Sequence, residues 1–118
     1  MAFMLLINEP VGQRAERGEA AGRVAYQQML DFTAELQQRG VLMASSSLQS
    51  LEHATRVQVS NGAARLLDGP FAEAKEMVGG FFMLDVATRE EALAIAQACP
   101  AAAWCTVEVR ETGPCYIR

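Results

Sequence analysis

Asp68, Glu73 and Glu76 fall within one nine-residue stretch, with Lys75 among them, inside a segment reading LDGPFAEAKEMVGGFFML from Leu67 to Leu84. Clustered carboxylates raise one another's pKa, which makes one of them a general base, and their oxygens also suit a hard divalent cation. On that reading Asp68 and Glu76 move protons, while Gly69, Pro70, Phe71, Glu73 and Lys75 form the surface a ligand touches. The competing reading is turn chemistry: Asp68-Gly69-Pro70 shapes a bend, Asp68 caps its own loop, and the other charges are solvated. His53, the single histidine, is the reserve general base, although it has no partner in sequence and suits a surface loop. Arg56 pairs with Asp68 or an anionic ligand, or else forms a cross-strand ion pair worth under ~1 kcal/mol. Tyr26 offers a phenol from the edge of a helix.

Other chemistries lack their residues. The three cysteines, Cys99, Cys105 and Cys115, contain no C-x-x-C pair, which removes zinc-ribbon and thioredoxin-type sites. They read as reduced thiols, with Cys105 expected buried in a strand. The glycines form neither G-x-G-x-x-G nor a phosphate loop. No metal or cofactor is expected.

The elements that must position these groups follow from hydrophobic period and punctuation. Phe3 to Asn8 is an apolar strand closed by Pro10-Val11-Gly12. Gln13 to Gly22 reads as a polar loop or frayed helix start. Ala21, Ala25, Met29, Phe32 and Leu36 then recur at helical spacing, and Gly40 ends the helix. Val41 to Ala44 is a strand running into Ser45-Ser46-Ser47. Thr55 to Val59 and Ala64 to Leu67 flank Asn61-Gly62, a type I′ hairpin signal. Met77 to Val86 is a strand interrupted by Gly79-Gly80, which predicts a bulge or a close approach. Thr88 to Glu91 is a capping box opening a helix from Arg89 to Cys99. Trp104 to Val109 alternates as the last strand. The order β-α-β, hairpin, β-α-β is the α+β, ferredoxin-like split βαβ pattern. Its helices cover one sheet face, so an apolar face remains open and predicts a homodimer.

The 118 residues fit a single domain, 51% hydrophobic and 20% charged, with a net charge of −4. That balance disfavours nucleic acid. The N-terminal apolar run, Ala2 to Ile7, is far short of the ~20 residues that span a bilayer. It has neither the basic lead nor the cleavage site of a signal peptide, and a cytoplasmic location is expected.

Asp68-Gly69-Pro70-Phe71, Glu73, Lys75-Glu76 and Gly79-Gly80-Phe81 resemble the signature of the YCII-related family, in its DGPF-domain branch. The opening Phe3-Met4-Leu5-Leu6, Gly40-Val41-Leu42, Leu48, Thr55-Arg56-Val57, Glu90-Glu91-Ala92-Leu93 and Val107-Glu108-Val109-Arg110 fall in register with it. The resemblance implies a dimeric α+β barrel built from ferredoxin-like subunits. Members outside this branch pair a first-helix histidine with an aspartate; those positions correspond to Met29 and Cys99, so that dyad is missing. Ser46 stands where many branch members carry an acid. The resulting expectation is a small enzyme-like or ligand-binding homodimer whose apolar cavity takes a small apolar or aromatic molecule and is lined by the acidic motif. The alternative is a non-catalytic structural or regulatory module associated with sigma-factor systems.

Overall fold

The computed structural model describes residues 2–116. In chain order it runs β1 (Ala2–Pro10), α1 (Gln13–Gln38), β2 (Leu42–Ser47), β3 (Thr55–Ser60), β4 (Ala63–Asp68), β5 (Glu76–Asp85), α2 (Arg89–Ala98) and β6 (Thr106–Glu111). Two 3-10 turns, Leu51–His53 and Pro100–Ala103, join them. The main sheet has the order β2-β5-β1-β6 with every neighbouring pair antiparallel. β3 and β4 pair only with each other. This is the ferredoxin-like arrangement with an inserted hairpin.

Period-2 patterning sets the core. In β1 the side chains of Phe3, Leu5 and Ile7 are buried on the helix side, and in β5 Phe82 and Leu84 join them. α1 contributes Phe32 and Leu36, and Phe32 meets Phe82 edge-to-face at 5.4 Å, the arrangement that the ring quadrupoles favour. α2 contributes Ala92, Ile95 and Ala96, whose small side chains let the helix sit close to the sheet. Thr88 caps α2, its Oγ1 accepting from the Glu91 N–H at 3.2 Å. Gly40, at φ 73°, closes α1 with a Schellman pair: Gly40 N–H donates to Gln37 O and Val41 N–H to Leu36 O.

Two boundaries differ from the sequence reading, while the bulge expected at Gly79-Gly80 is present. α1 begins at Gln13 rather than after Gly22, bending at Gly18 (φ 80°, ψ 170°). Tertiary anchors on Gln13 and Arg14, described below, hold a first turn that has no apolar period of its own. Ala21 is consequently exposed, and Gly22 takes the inward position. Cys105 is half-buried and precedes β6 rather than lying inside it. In β5 Gly79 is the extra residue of a bulge, since Ile7 pairs with Gly80 and Asn8 with Val78.

The β3–β4 hairpin projects as an arm. Asn61 (φ 50°) and Gly62 (φ 77°) both adopt positive φ, as a type I′ turn requires. The register Val57↔Leu66 and Val59↔Ala64 puts three large apolar side chains on one side. Val57, Val59 and Leu66 remain 60%, 69% and 68% exposed. The arm contributes to a radius of gyration of 16.1 Å, against about 13 Å for a compact chain of ~100 residues. On the sheet face away from the helices, Met4, Leu6, Phe81 and Met83 are half-buried neighbours.

Candidate functional site

Small residues on facing elements leave a hollow. The inward face of α1 carries Gly22 and Ala25 in its N-terminal half, and the sheet opposite carries Ser45, Ser47, Gly79 and Gly80. None of these fills the gap that Phe32 and Leu36 close further along the helix. The result is a cleft of about 730 Å³ between α1 and the sheet, with Met29, Leu30, Ile7, Phe82 and Trp104 as its apolar wall.

A charge pair closes the polar end. Glu9 continues the inward alternation Phe3, Leu5, Ile7 and is only 7% exposed. Burying a lone carboxylate would cost several kcal/mol, and Arg14 removes that cost. Its NH2 donates to Glu9 Oε1 at 2.6 Å and its Nε to Oε2 at 3.1 Å. The same guanidinium donates through NH1 to Leu48 O at 2.8 Å, so one side chain ties β1, α1 and the end of β2 together. A β-carbon on Gly79 would overlap Glu9 Oε1 far inside van der Waals contact, and one on Gly80 would lie 2.9 Å from Ser46 O. The glycine pair therefore makes both a bulge and the space for the carboxylate.

Next to this pair, where Asn8 meets Thr106, the lining is aromatic and cationic. Arg17 lies over the Trp104 ring with its guanidinium carbon 5.4 Å from the centroid, a cation–π arrangement. Gln13 orients both groups: its amide N–H donates to Trp104 O at 2.6 Å, and its Oε1 accepts from Arg17 NH2 at 3.1 Å. Cys105 also lines the cleft. Its thiol donates to Ala101 O at 3.2 Å, and burial, reinforced by the nearby Glu9 charge, pushes its pKa up to about 11. It is a neutral thiol at physiological pH, not a nucleophile.

Of the residues singled out from the sequence, Ser46 and Tyr26 line this cleft. The remainder lie outside its lining: His53, Arg56, Asp68 and the residues following it at the base of the arm, and Lys75 and Glu76 at the start of β5 beside Pro10 and Val11. Asp68 Oδ1 accepts from Thr55 Oγ1 at 2.8 Å, across the last β3–β4 pair. Gly69 N–H donates to Ala54 O at 2.8 Å, and a side chain at Gly69 would collide with the Leu51 carbonyl. Arg56 pairs with Glu73 (3.4 Å) rather than Asp68, and stacks on the buried Phe71 ring with its guanidinium carbon 3.7 Å from the centroid. Pro70, Lys75, Glu76 and His53 are exposed. Among the described residues no three histidine, cysteine, aspartate or glutamate side chains gather to hold a metal ion. Among the described residues the three carboxylates of the motif do not gather into one cluster.

Met29 and Cys99 are neighbours in space. Cys99 Sγ lies 4.0 Å from Met29 Sδ, and burial raises the Cys99 pKa. A thioether and a neutral thiol face each other here, and neither exchanges a proton near neutral pH.

Glu9, Arg14, Arg17 and Trp104 escaped the sequence reading. The available signal was Glu9 itself, an acid at the next inward position of an otherwise apolar alternation.

Comparison with solved structures finds a chain of the same fold. It is the 5-chloro-2-hydroxyhydroquinone dehydrochlorinase of Burkholderia phenoliruptrix AC1100, in complex with 2,5-dihydroxybenzoquinone. The TM-score is 0.57 at 14% identity, covering 96% of this chain and 94% of that one. No match is found among the curated proteins. Among the described residues no helix is long and apolar enough to cross a membrane. The family model described as the YCII-related domain matches residues 1–114, and the chain belongs to that family.

Proposed function

We propose that this protein binds a small, largely apolar molecule in the cleft beneath α1 and works as a homodimer. The observation that carries the reading is the cleft itself: an apolar wall ending in a buried, fully paired Glu9–Arg14 couple. Pockets of this kind, apolar with a few placed polar groups, are the usual form of small-molecule sites. The dehydrochlorinase of similar fold holds a small planar ring compound, which supports a ligand of that size. An acid–base step inside the cleft falls to Glu9, the one carboxylate among the described lining residues. Asp68, Glu76 and His53 reach a ligand only if a partner's arm carries them there. Their contacts within the subunit support the role of a hinge for the arm.

The homodimer is supported by the arm. An isolated two-stranded ribbon is marginally stable, and among the described residues nothing packs on the Val57, Val59 and Leu66 face. The half-buried Met4, Leu6, Phe81 and Met83 face offers a second apolar surface. Light scattering should give twice the chain mass of 12.8 kDa, and Val57→Lys with Leu66→Lys should return it to one.

Gly22→Leu tests the cleft. A β-carbon at Gly22 meets open space, and leucine favours a helix more than glycine does, so the variant should fold. Its side chain enters the cleft, and ligands that shift the melting temperature of the parent should no longer do so. Unchanged shifts would place the binding elsewhere.

A further inference from the structure

We infer that the cleft selects a small organic monoanion and that Arg17 receives its charged end; this rests on the cleft being the ligand site. Three charged side chains line it: Glu9, Arg14 and Arg17. The first two cancel, and the Arg14 donors are largely taken by Glu9 and by Leu48 O. Arg17 has no carboxylate partner among the described residues. Its contacts are the Gln13 amide oxygen and the Trp104 ring. A half-buried guanidinium with neutral partners alone leaves one uncompensated positive charge in a chain whose net charge is −4. Cys105 remains a thiol and supplies no counter-charge.

One uncompensated cation fits one negative charge. A dianion would leave its second charge facing Glu9, at the cost of an unpaired buried ion. A neutral molecule would leave Arg17 unsatisfied when the cleft fills and water departs. The apolar wall then takes a hydrocarbon or aromatic body, and Ser45, Ser47 and Gln49 offer neutral hydrogen-bonding groups along the way. Gln13 is a positioning residue: by bonding both Trp104 O and Arg17 it fixes the guanidinium at the rim instead of letting it swing into solvent.

The test titrates the full chain with benzoate and hexanoate, each against its uncharged amide, following the fluorescence of Trp104, the single tryptophan. The carboxylates should bind at least about tenfold more tightly than the amides, which is about 1.4 kcal/mol. Arg17→Met, with Arg17→Gln as a second variant, should bring the two within about twofold by weakening the carboxylates alone. Arg17→Lys should keep most of the preference. Equal binding of acid and amide to the parent would overturn the charge selection and leave the cleft reading intact. A preference that survives both neutral variants would overturn the role of Arg17. No binding of either class, together with an inert Gly22→Leu variant, would overturn both.

Discussion

The carboxylate of Glu9 occupies the space in which a side chain at Gly79 would begin. Two residues far apart in sequence are thus matched: an acid at the end of β1 and an absent side chain at the bulge of β5. The match explains how a strand can tolerate Gly79-Gly80, which by propensity alone weakens it. Arg14 completes the arrangement from α1, which is why the helix begins eight residues before its apolar period does.

Gly79→Ala should therefore be costly out of proportion to one methyl group. Glu9 must move, the Arg14 pair breaks, and a buried charge loses its partner. A loss of about 3 kcal/mol in urea unfolding is expected. Gly80→Ala, whose new carbon meets Ser46 O at 2.9 Å, should cost less.

Arg14→Met should destabilise by about 2 kcal/mol, less than for a fully buried pair because the Arg14 side chain is 37% exposed. Adding Glu9→Gln should recover part of that loss, since the remaining polar group no longer carries a charge. A thermal-melt double-mutant cycle measures the coupling.

The cysteines should separate by reactivity. Cys115 is exposed, Cys105 half-buried and Cys99 buried, so iodoacetamide at pH 8 should label Cys115 first and Cys99 last. For Cys105 the folded pKa of about 11 lies above the ordinary 9.0. Between these values the folded chain holds a proton that the unfolded chain has released. Stability should therefore fall as pH rises from about 9 to about 11, and Cys105→Ser should flatten that fall in a pH series of melts.

Changes at the arm should leave the cleft untouched. Asp68→Ala removes the bond from Thr55 and should cost about 1 kcal/mol. Gly62→Val forces a β-branched residue to φ 77° and should weaken the hairpin and, with it, the dimer. Neither should alter ligand affinity per cleft, as calorimetry on each variant would register.

The order of elements was legible because each had its own local signal: the apolar run of β1, alternation in β6, the Thr88 cap, the Gly40 stop and the Asn61-Gly62 turn. The first turns of α1 carried no such signal, being held by Gln13 and Arg14 through partners far away in sequence. The site was less legible for the same reason. Asp68 to Glu76 packs chemical residue types into a short stretch, yet its groups bond to Thr55, Arg56 and their own turn. The cleft instead draws Glu9, Arg14, Arg17 and Trp104 from three separate segments, and its volume comes from side chains that are small or missing. Gly22 and Gly79 look like weak helix and strand positions until the elements face one another.

Amide chemical-shift mapping with benzoate addresses the cleft most directly. Perturbations at Gly22, Ser46, Gly79 and Trp104, with Thr55, Asp68, Phe71 and Glu73 unmoved, are the predicted result. Shifts clustered on Asp68 to Glu76 with the α1 cleft silent would contradict it.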